Sequence, residues 1–355
     1  MSRMSTAPQA PSSSRAPDGE SAAQPTSGHG LPLALGSSGE SVTDLQLRLQ
    51  RLGFAVNDET VGTFDPRTEQ SVRRFQRQRG LRSDGICGRQ TWSAVVEAGF
   101  RLGDRILYRR WPMLHGDDVA ELQRRLSALG FDPGGVDGIY GDGTVQALGE
   151  FQRNVGVGSD GICGPRTLTE LERLSPRAGG EDLVSQIRER LDAASRAATL
   201  IGKRIAVGEG GGFSAGVGAV CRALAAMGAE PIGLHHPEES EQAVEANAAR
   251  VDCYVGLRLE PDHALVRTMH YKGYRYESET SRRLAELLRH AILCRLSLDD
   301  GGSAGMALPI LRETQMPAVV VELGAPSTVA MHTTDVAAAV VAALEQWLRL
   351  DWESI

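Results

Sequence analysis

Four charged residues stand where predicted strands of an α/β domain end. Arg258 and Glu260 close the otherwise apolar run CYVGLRLE. Glu322 closes the run AVVVELG, and Glu209 follows RIAVG. Ligands and catalytic groups usually lie at the carboxyl ends of strands in an open α/β sheet. A carboxylate there can move a proton, whereas an arginine offers no lone pair to a metal. Charges also gather where elements meet solvent, so a solvated strand end is the alternative interpretation.

These positions depend on a carboxyl-terminal domain in which strands and helices alternate. The predicted strands are 204–208, 231–234, 253–259, 265–271, 306–311 and 318–323. The predicted helices lie near 216–228, 238–249, 278–296 and 334–349. This alternation is typical of a mostly parallel sheet covered on both faces. We place the domain at 203–352, after a linker segment at 177–202 with a helix near 183–198.

An internal duplication precedes this domain. GESVTDLQLRLQRLGF (39–54) recurs as GDDVAELQRRLSALGF (116–131), and FQRQRGLRSDGICG (75–88) recurs as FQRNVGVGSDGICG (151–164). Self-similarity over such a span indicates two copies of one small module. We predict the modules at 34–104 and 110–176.

Each copy is predicted to contain three helices. In the first copy, Val42, Leu45, Leu49 and Leu52 form one apolar helical face that ends at Gly53. A second helix near 68–79 carries Val72 and Phe75, and a third starts at Gly88 or Arg89 and carries Trp92 and Val96. The equivalent residues of the second copy are Val119, Leu122, Leu126, Leu129, Phe151 and Leu168.

The composition indicates a multidomain globular protein. A chain of 355 residues is too long to form one small hydrophobic core. Its 41% hydrophobic and 23% charged residues are ordinary fractions for a soluble globular protein. A net charge of −7 gives no signal for nucleic acid or an anionic membrane as a partner. No stretch approaches the roughly 18 to 20 apolar residues needed to cross a bilayer.

The termini and cysteines predict a cytoplasmic protein. The Ser/Pro/Ala/Gly-rich start lacks the apolar core of a secretory signal, so we expect a disordered tail at 1–33. The scattered cysteines form no CxxC pair and are expected to be separate buried residues in a reducing compartment. They are Cys87, Cys163, Cys221, Cys253 and Cys294.

The two copies resemble the peptidoglycan-binding domain type 1, a three-helix module found beside cell-wall hydrolases. The second copy matches the pattern closely in GGVDGIYGDGTVQALGEFQRNVGVGSDGICGPRTL. The first departs from it at VGTFDPRTEQ. The resemblance covers about 36–175 and implies binding of peptidoglycan or its fragments. A helical module can also be kept for protein contact alone.

The carboxyl-terminal domain resembles the zinc N-acetylmuramoyl-L-alanine amidases over about 203–350. The segments that carry the resemblance are VDCYVGLRLE, SETSRRLAELL and TQMPAVVVELG. The family implies cleavage of the amide that joins the peptide stem to muramic acid. It also implies a zinc ion held by two histidines and a glutamate, with a second glutamate acting on the zinc-bound water.

Carried over by position, this zinc site is degenerate. The first histidine is replaced in VGEGG by Glu209, or by Gly210 if the alignment slips by one residue. The loop with the second ligand is missing, because GGGF runs almost directly into SAGVGAVCRALAAMG. Arg258 stands at the last histidine, and only Glu322, the general-base position, is retained. We therefore expect no metal and no cofactor.

Arg258 is predicted to replace the missing cation. Its guanidinium would pair with Glu322, with Glu209 as a further candidate partner. Nearby histidines are not expected to replace the missing zinc ligands. Adjacent residues on a strand point to opposite faces, so His235 and His236 cannot easily bind the same ion. We expect surface or loop positions for His235, His236, His263 and His270.

The whole arrangement resembles the CwlM-like cell-wall regulators of mycobacteria and other actinobacteria. That resemblance implies a non-catalytic regulator of peptidoglycan precursor synthesis that binds the UDP-N-acetylglucosamine enolpyruvyl transferase. It also implies control by a Ser/Thr kinase, for which the amino-terminal segment is the accessible target. The Arg-rich helix at 71–82 could accept the phosphate or be an ordinary solvated face. The alternatives are an active zinc amidase and a muropeptide sensor that does not cleave.

Overall fold

The computed structural model describes residues 30–56, 58–111, 113–174, 184–194, 198–261, 263–273 and 276–352. Most of the predicted disordered tail lies outside these residues. No helix in these ranges is both long and apolar enough to span a membrane.

Two modules of three helices each form the amino-terminal part. The first contains α1 (Glu40–Arg51), α2 (Pro66–Gln78) and α3 (Arg89–Glu97), with a 3-10 turn at Asp58–Thr60. The second contains α4 (Asp117–Ala128), α5 (Asp142–Val155) and α6 (Pro165–Leu174). The predicted apolar faces of the first two helices of each module are buried, except that Leu52 and Leu129 at the helix ends are partly buried. The third helix of the first module buries the predicted Trp92 together with Val95, and the predicted Val96 packs partly buried against the same core. In the second module Leu171 is buried, whereas the predicted Leu168 is only partly buried.

The module boundaries differ slightly from those predicted. Leu33 forms a backbone bridge to Cys87 and is buried in the first core, so the first module begins before residue 34. Leu107 forms the equivalent bridge to Cys163 and belongs to the second core, so the second module begins before residue 110. Both corrections involve short extended segments that a helical pattern cannot reveal.

A buried glutamine holds each half of each module together. The four glutamines are Gln46, Gln76, Gln123 and Gln152. Each side-chain amide donates to a threonine hydroxyl at 3.0–3.1 Å, the partners being Thr68, Thr91, Thr144 and Thr167. Each also accepts a glycine N–H at 2.8–2.9 Å, from Gly62, Gly85, Gly138 and Gly161. We call this motif the glutamine clasp. Its fourfold recurrence shows that each module is itself built from two similar halves.

The linker contains one described helix, α7 (Val184–Ala194), within the predicted 183–198. Arg188 of this helix pairs with Asp132 of the second module at 2.5 Å. The next residue, Glu189, accepts hydrogen bonds from the Tyr276 hydroxyl at 2.5 Å and the Ser278 hydroxyl at 2.6 Å. The helix is therefore fastened to a module on one side and to the carboxyl-terminal domain on the other.

The carboxyl-terminal domain is a six-stranded sheet with helices on both faces. Its strands are β1 (Arg204–Glu209), β2 (Glu230–Leu234), β3 (Cys253–Glu260), β4 (Leu265–Tyr271), β5 (Asp299–Met306) and β6 (Ala318–Gly324), in the order β2-β1-β3-β6-β4-β5. Its helices are α8 (Ser214–Ala226), α9 (Glu239–Ala249), α10 (Glu279–Leu293), α11 (Pro309–Glu313), α12 (Pro326–Met331) and α13 (Thr333–Leu348). The sheet is mixed, because β4 pairs antiparallel with β6 while the neighbouring pairs are parallel.

One strand prediction is wrong. The segment 306–311 is not a strand: Pro309 begins the short helix α11 with its preset backbone angle. The strand in this region is β5, whose sequence DDGGSAGM has none of the β-branched or aromatic residues that mark strands. It forms an edge of the sheet through its pairing with β4.

The two sheet faces bury separate cores. On one face, β1, β3 and β6 pack against α8, α10 and α13 around residues such as Val255 and Val321. On the other face, alternate strand residues such as Tyr254 and Val320 pack against α9 and α11. This alternation decides which strand-end side chains can meet.

The first module packs against the second face of the domain. The Gly80 carbonyl accepts the Ala307 N–H at 2.7 Å. A methyl group on Gly80 would lie only 2.7 Å from the Lys272 carbonyl oxygen, so the backbones approach too closely for a side chain. Arg312 of α11 reaches Glu97 of α3 at 3.4 Å. A backbone hydrogen bond and an ion pair thus join the first module to the domain.

Candidate functional site

A row of three charged side chains crosses the carboxyl end of the sheet. Arg258 on β3 and Glu322 on β6 are register partners, and their Nη1 and Oε1 atoms are 3.6 Å apart. Arg267 on the antiparallel β4 is the register partner of Glu322 from the other side, with Nη1 3.4 Å from Oε2. Register partners point to the same face of a sheet. Each oxygen of the Glu322 carboxylate therefore faces one guanidinium, and the predicted Arg258–Glu322 ion pair is present.

A second carboxylate completes the group. Glu239, the first residue of α9, accepts a short charge-assisted hydrogen bond from Nη2 of Arg258. We call Glu239, Arg258, Arg267 and Glu322 the strand-end ion cluster. It contains two cations and two anions, and Glu322 is only 7% exposed. Its charges neutralise one another without a metal.

Glu209 lies apart from this cluster, contrary to the suggestion that it could also pair with Arg258. It is the register partner of Leu257, and the side chains of Leu257 and Arg258 point to opposite faces of β3. Its carboxylate accepts the Phe213 N–H at 2.5 Å and hydrogen bonds to the Ser214 hydroxyl. The buried carboxylate thus fixes the turn into α8.

His235 is the remaining partner of Glu209, with Nδ1 3.0 Å from Oε1. Burial alone raises the pKa of Glu209, but the hydrogen bonds from Ser214, His235 and the Phe213 N–H together hold it below its usual value. The pair is an isolated acid–histidine contact on the α8 side of the sheet. Among the described residues, no third histidine, cysteine or acidic side chain joins this pair to form the set of three ligands that a catalytic zinc requires.

The other three histidines do not converge on this pair. His236 accepts the Glu238 N–H at 3.1 Å, and His263 is exposed. His270 was expected at the surface but is buried in β4, because the antiparallel pairing places it inside the sheet. Its Nε2 lies 2.8 Å from Glu277, and burial lowers the pKa of the imidazole despite that contact.

The zinc ion implied by the fold family does not fit these residues. Within the described part of the chain, no group of three histidine, cysteine or acidic residues is placed to hold a metal. Arg258 stands at the expected ligand position, and a guanidinium has no lone pair to donate to a metal. Glu322, the expected general base, is engaged by Arg258 and Arg267. The arrangement holds a fixed pattern of charge.

Sequence reasoning missed two of the four cluster residues. Arg267 lies on a strand whose antiparallel pairing with β6 is not encoded in any local pattern. Glu239 stands in LHHPEESEQ, which resembles a solvated connection although it begins α9. The acidic run at a predicted helix start was the available signal, since carboxylates favour that position.

Both amino-terminal modules match a known protein family. Residues 38–95 and 115–171 each match the family model of the peptidoglycan binding domain. The matched segments coincide with the helices of the two modules.

Other similar proteins are named as amidases. A Bacillus licheniformis protein named N-acetylmuramoyl-L-alanine amidase CwlL is 31% identical over 175 residues, which cover 43% of this chain and 49% of that protein. A solved N-acetylmuramoyl-L-alanine amidase structure from Clostridium difficile aligns with a TM-score of 0.36 and 15% identity, over 41% of this chain and 97% of its own.

One relative aligns over most of both chains. A Mycobacterium tuberculosis protein named N-acetylmuramoyl-L-alanine amidase CwlM is 36% identical over 335 residues, which cover 83% of this chain and 82% of that protein. The alignment includes the modules as well as the amidase-like domain. On this evidence the chain belongs to the family of the N-acetylmuramoyl-L-alanine amidase CwlM.

Proposed function

We propose that this protein is a non-catalytic, cytoplasmic regulator of peptidoglycan precursor synthesis that acts by binding another protein through its amidase-like domain. The observation that carries the proposal is the strand-end ion cluster. Arg258 takes the place of a metal ligand, and its positive charge pairs with Glu239 and Glu322. A divalent cation entering this site would meet two guanidinium groups, which would repel it.

The proposed partner is the UDP-N-acetylglucosamine enolpyruvyl transferase, the first committed enzyme of precursor synthesis. This assignment rests on the resemblance to the CwlM-like regulators. We place the contact at the surface around the strand-end ion cluster. The side chain of Arg267 is 43% exposed there, so a partner protein can contact its positive charge. Phosphorylation by a Ser/Thr kinase would add negative charge and could adjust this contact.

The test is a binding and activity measurement on the purified full-length chain. We expect a complex with the purified enolpyruvyl transferase and no release of peptide stems from muropeptides, with or without added zinc. Arg267→Glu should weaken the complex at least about tenfold, because it reverses an exposed charge at the contact. Arg166→Glu, an exposed change on α6, is the matched control and should leave it intact. Failure to bind the transferase, or measurable amide cleavage, would overturn the proposal.

The names of the relatives favour a second candidate, an active amidase. That function would require a metal to be recruited by residues that do not converge within the described structure. A third candidate, a sensor of muropeptide or precursor, keeps the substrate class of the named relatives without their chemistry. Muropeptide binding without turnover would distinguish it from both.

A further inference from the structure

Four exposed arginines lie together on the first module. Helix α2 carries three of them and the loop after it carries the fourth; they are Arg67, Arg74, Arg77 and Arg82. Within the described ranges, none of the four makes an ion pair with an acidic side chain. We call this group the arginine stripe. It concentrates positive charge on one surface of a chain whose net charge is −7.

Two other arginines of the same segment are paired. Arg73 binds Glu69 at 2.8 Å within α2. Arg79 binds Asp117 of the second module through two hydrogen bonds, at 2.6 and 2.8 Å. These two contacts hold the helix and join the modules, whereas the charges of the arginine stripe remain open to a partner. Such a patch attracts an anionic surface.

The duplication provides an internal reference for the arginine stripe. The segments FQR at 75–77 and 151–153 align α2 with α5 of the second module. In that alignment the counterparts of Arg67, Arg74 and Arg82 carry no positive charge; they are Gly143, Glu150 and Gly158. Both modules nevertheless contain the same buried glutamine clasp. The module therefore folds without these three arginines, and their presence in one copy calls for another explanation.

The spacing of the arginine stripe fits an extended acidic ligand. Arg67 and Arg74 are seven residues apart in α2, so they share a helix face and lie about 10.5 Å apart along its axis. Arg77 continues the stripe by nearly one turn. A carboxylate can pair with each guanidinium through two parallel hydrogen bonds. A helix with one carboxylate in every seven residues has the same axial repeat and can lie along α2.

The surroundings of the arginine stripe favour a protein segment over nucleic acid or a membrane. Single strands of nucleic acid stack their bases on aromatic side chains, and membrane interfaces are enriched in Trp and Tyr. In the described part of the first module no aromatic residue is exposed. Phe64, Phe75 and Trp92 are buried in its core, and Phe54 packs partly buried against them. An acidic protein segment requires only the guanidinium groups.

We propose that the arginine stripe binds an acidic helical segment of a partner protein, in which carboxylates repeat about every seven residues. The stripe lies on the first module, whereas the proposed contact with the transferase lies on the amidase-like domain. The inference therefore goes beyond the proposed function and gives the first module a protein-binding role of its own.

The experiment is a fluorescence anisotropy titration of the full-length chain with a labelled, alanine-based helical peptide that carries one glutamate in every seven residues. A peptide of the same composition, with its glutamates gathered at one end, tests the spacing. We expect the spaced peptide to bind about threefold more tightly or better, because its carboxylates can meet separate arginines. Binding should weaken as the salt concentration rises, because exposed charges are screened.

Substitutions in the two modules test the surface. Arg67→Glu combined with Arg74→Glu should weaken binding of the spaced peptide about tenfold or more, because attraction becomes repulsion. Arg77→Glu should weaken it about threefold or more for the same reason. Arg153→Glu is the matched control and should bind as wild type. Arg153 is the counterpart of Arg77 on α5, and each donates a hydrogen bond to a serine hydroxyl, at 3.2 and 3.5 Å. Circular dichroism verifies that every variant is folded.

The outcomes separate this inference from the proposed function. No binding of the spaced peptide, equal binding of the two peptides, or unchanged binding in the double variant would overturn it, even if the transferase complex is intact. Tighter binding of duplex DNA or of phosphatidylglycerol vesicles in the same assay would overturn the choice of a protein partner. Selective loss in the first-module variants would support the inference, even if amide cleavage or failure to bind the transferase overturns the proposed function.

Discussion

The guanidinium of Arg258 lies 3.6 Å from the carboxylate of Glu322, across the register pair that joins β3 to β6. The resemblance to zinc amidases places a metal ligand and a general base at these two positions. In this chain the two side chains instead bind each other, and Glu239 and Arg267 balance the remaining charge.

Removing Arg258 should destabilise the amidase-like domain. Arg258→Ala leaves Glu239 without its charged partner and Glu322 with Arg267 alone. We expect the free energy of unfolding to fall by about 1–3 kcal/mol, the cost of leaving partly buried carboxylates unpaired. Arg267→Ala should cost less, about 1 kcal/mol or below, because its side chain is more exposed. Urea denaturation gives both values, and equal losses would argue against Arg258 as the central cation.

The glutamine clasp predicts a second stability difference. Gln152→Ala leaves the buried Thr167 hydroxyl and Gly161 N–H without their partner. We expect a loss of about 2–4 kcal/mol, since several buried polar groups become unsatisfied together. Gln146→Ala, on the exposed face of the same helix, should change stability by less than about 0.5 kcal/mol. Similar losses in the free energy of unfolding from the two substitutions would mean that the glutamine clasp does not stabilise the module.

The docking of the first module can be tested at Gly80. Gly80→Ala places a methyl group against the Lys272 carbonyl and the Ala307 N–H, so the module should separate from the domain. Gly156 occupies the equivalent position of the second module, with a similar positive φ but nothing within 4 Å. Gly156→Ala therefore reproduces the backbone strain without the collision.

Amide hydrogen exchange at Ala307 reports on this contact directly, because its N–H is donated to the Gly80 carbonyl. Exchange should accelerate in Gly80→Ala and stay near the wild-type rate in Gly156→Ala. Protection that survives in Gly80→Ala would show that the docking does not depend on this close approach.

His115 predicts a pH dependence of stability. Burial, reinforced by Arg312 and Arg105, lowers the pKa of His115 from 6.5 to about 4. The unfolded chain takes up the proton first, so the stabilisation is complete above pH 6.5 and is lost as the pH falls towards 4. Relative to His115→Asn, wild type should lose about 2 kcal/mol between pH 7.5 and 5. Urea midpoints at the two pH values measure this, and a parallel decline in both proteins would exclude His115 as the titrating group.

Features that are encoded by a local sequence pattern could be predicted. The modules followed from a duplication and from helical spacing, and Arg258 was recognisable because a charge ended an apolar strand. Contacts that depend on non-local pairing were not predictable. Arg267 joined the cluster only through the antiparallel β4, and Glu209 left it because strand register turned its side chain to the other face. The close approach of Gly80 to Ala307 has no signature in either segment alone.

The zinc content of the purified full-length protein, after dialysis against zinc and then against metal-free buffer, tests the central claim most directly. Elemental analysis should find far less than one zinc ion per chain, and a parallel assay should find no muropeptide amidase turnover, because Arg258 stands where the resemblance to zinc amidases places a ligand. Near-stoichiometric zinc together with turnover would contradict the account and would require ligands that the strand-end ion cluster does not provide.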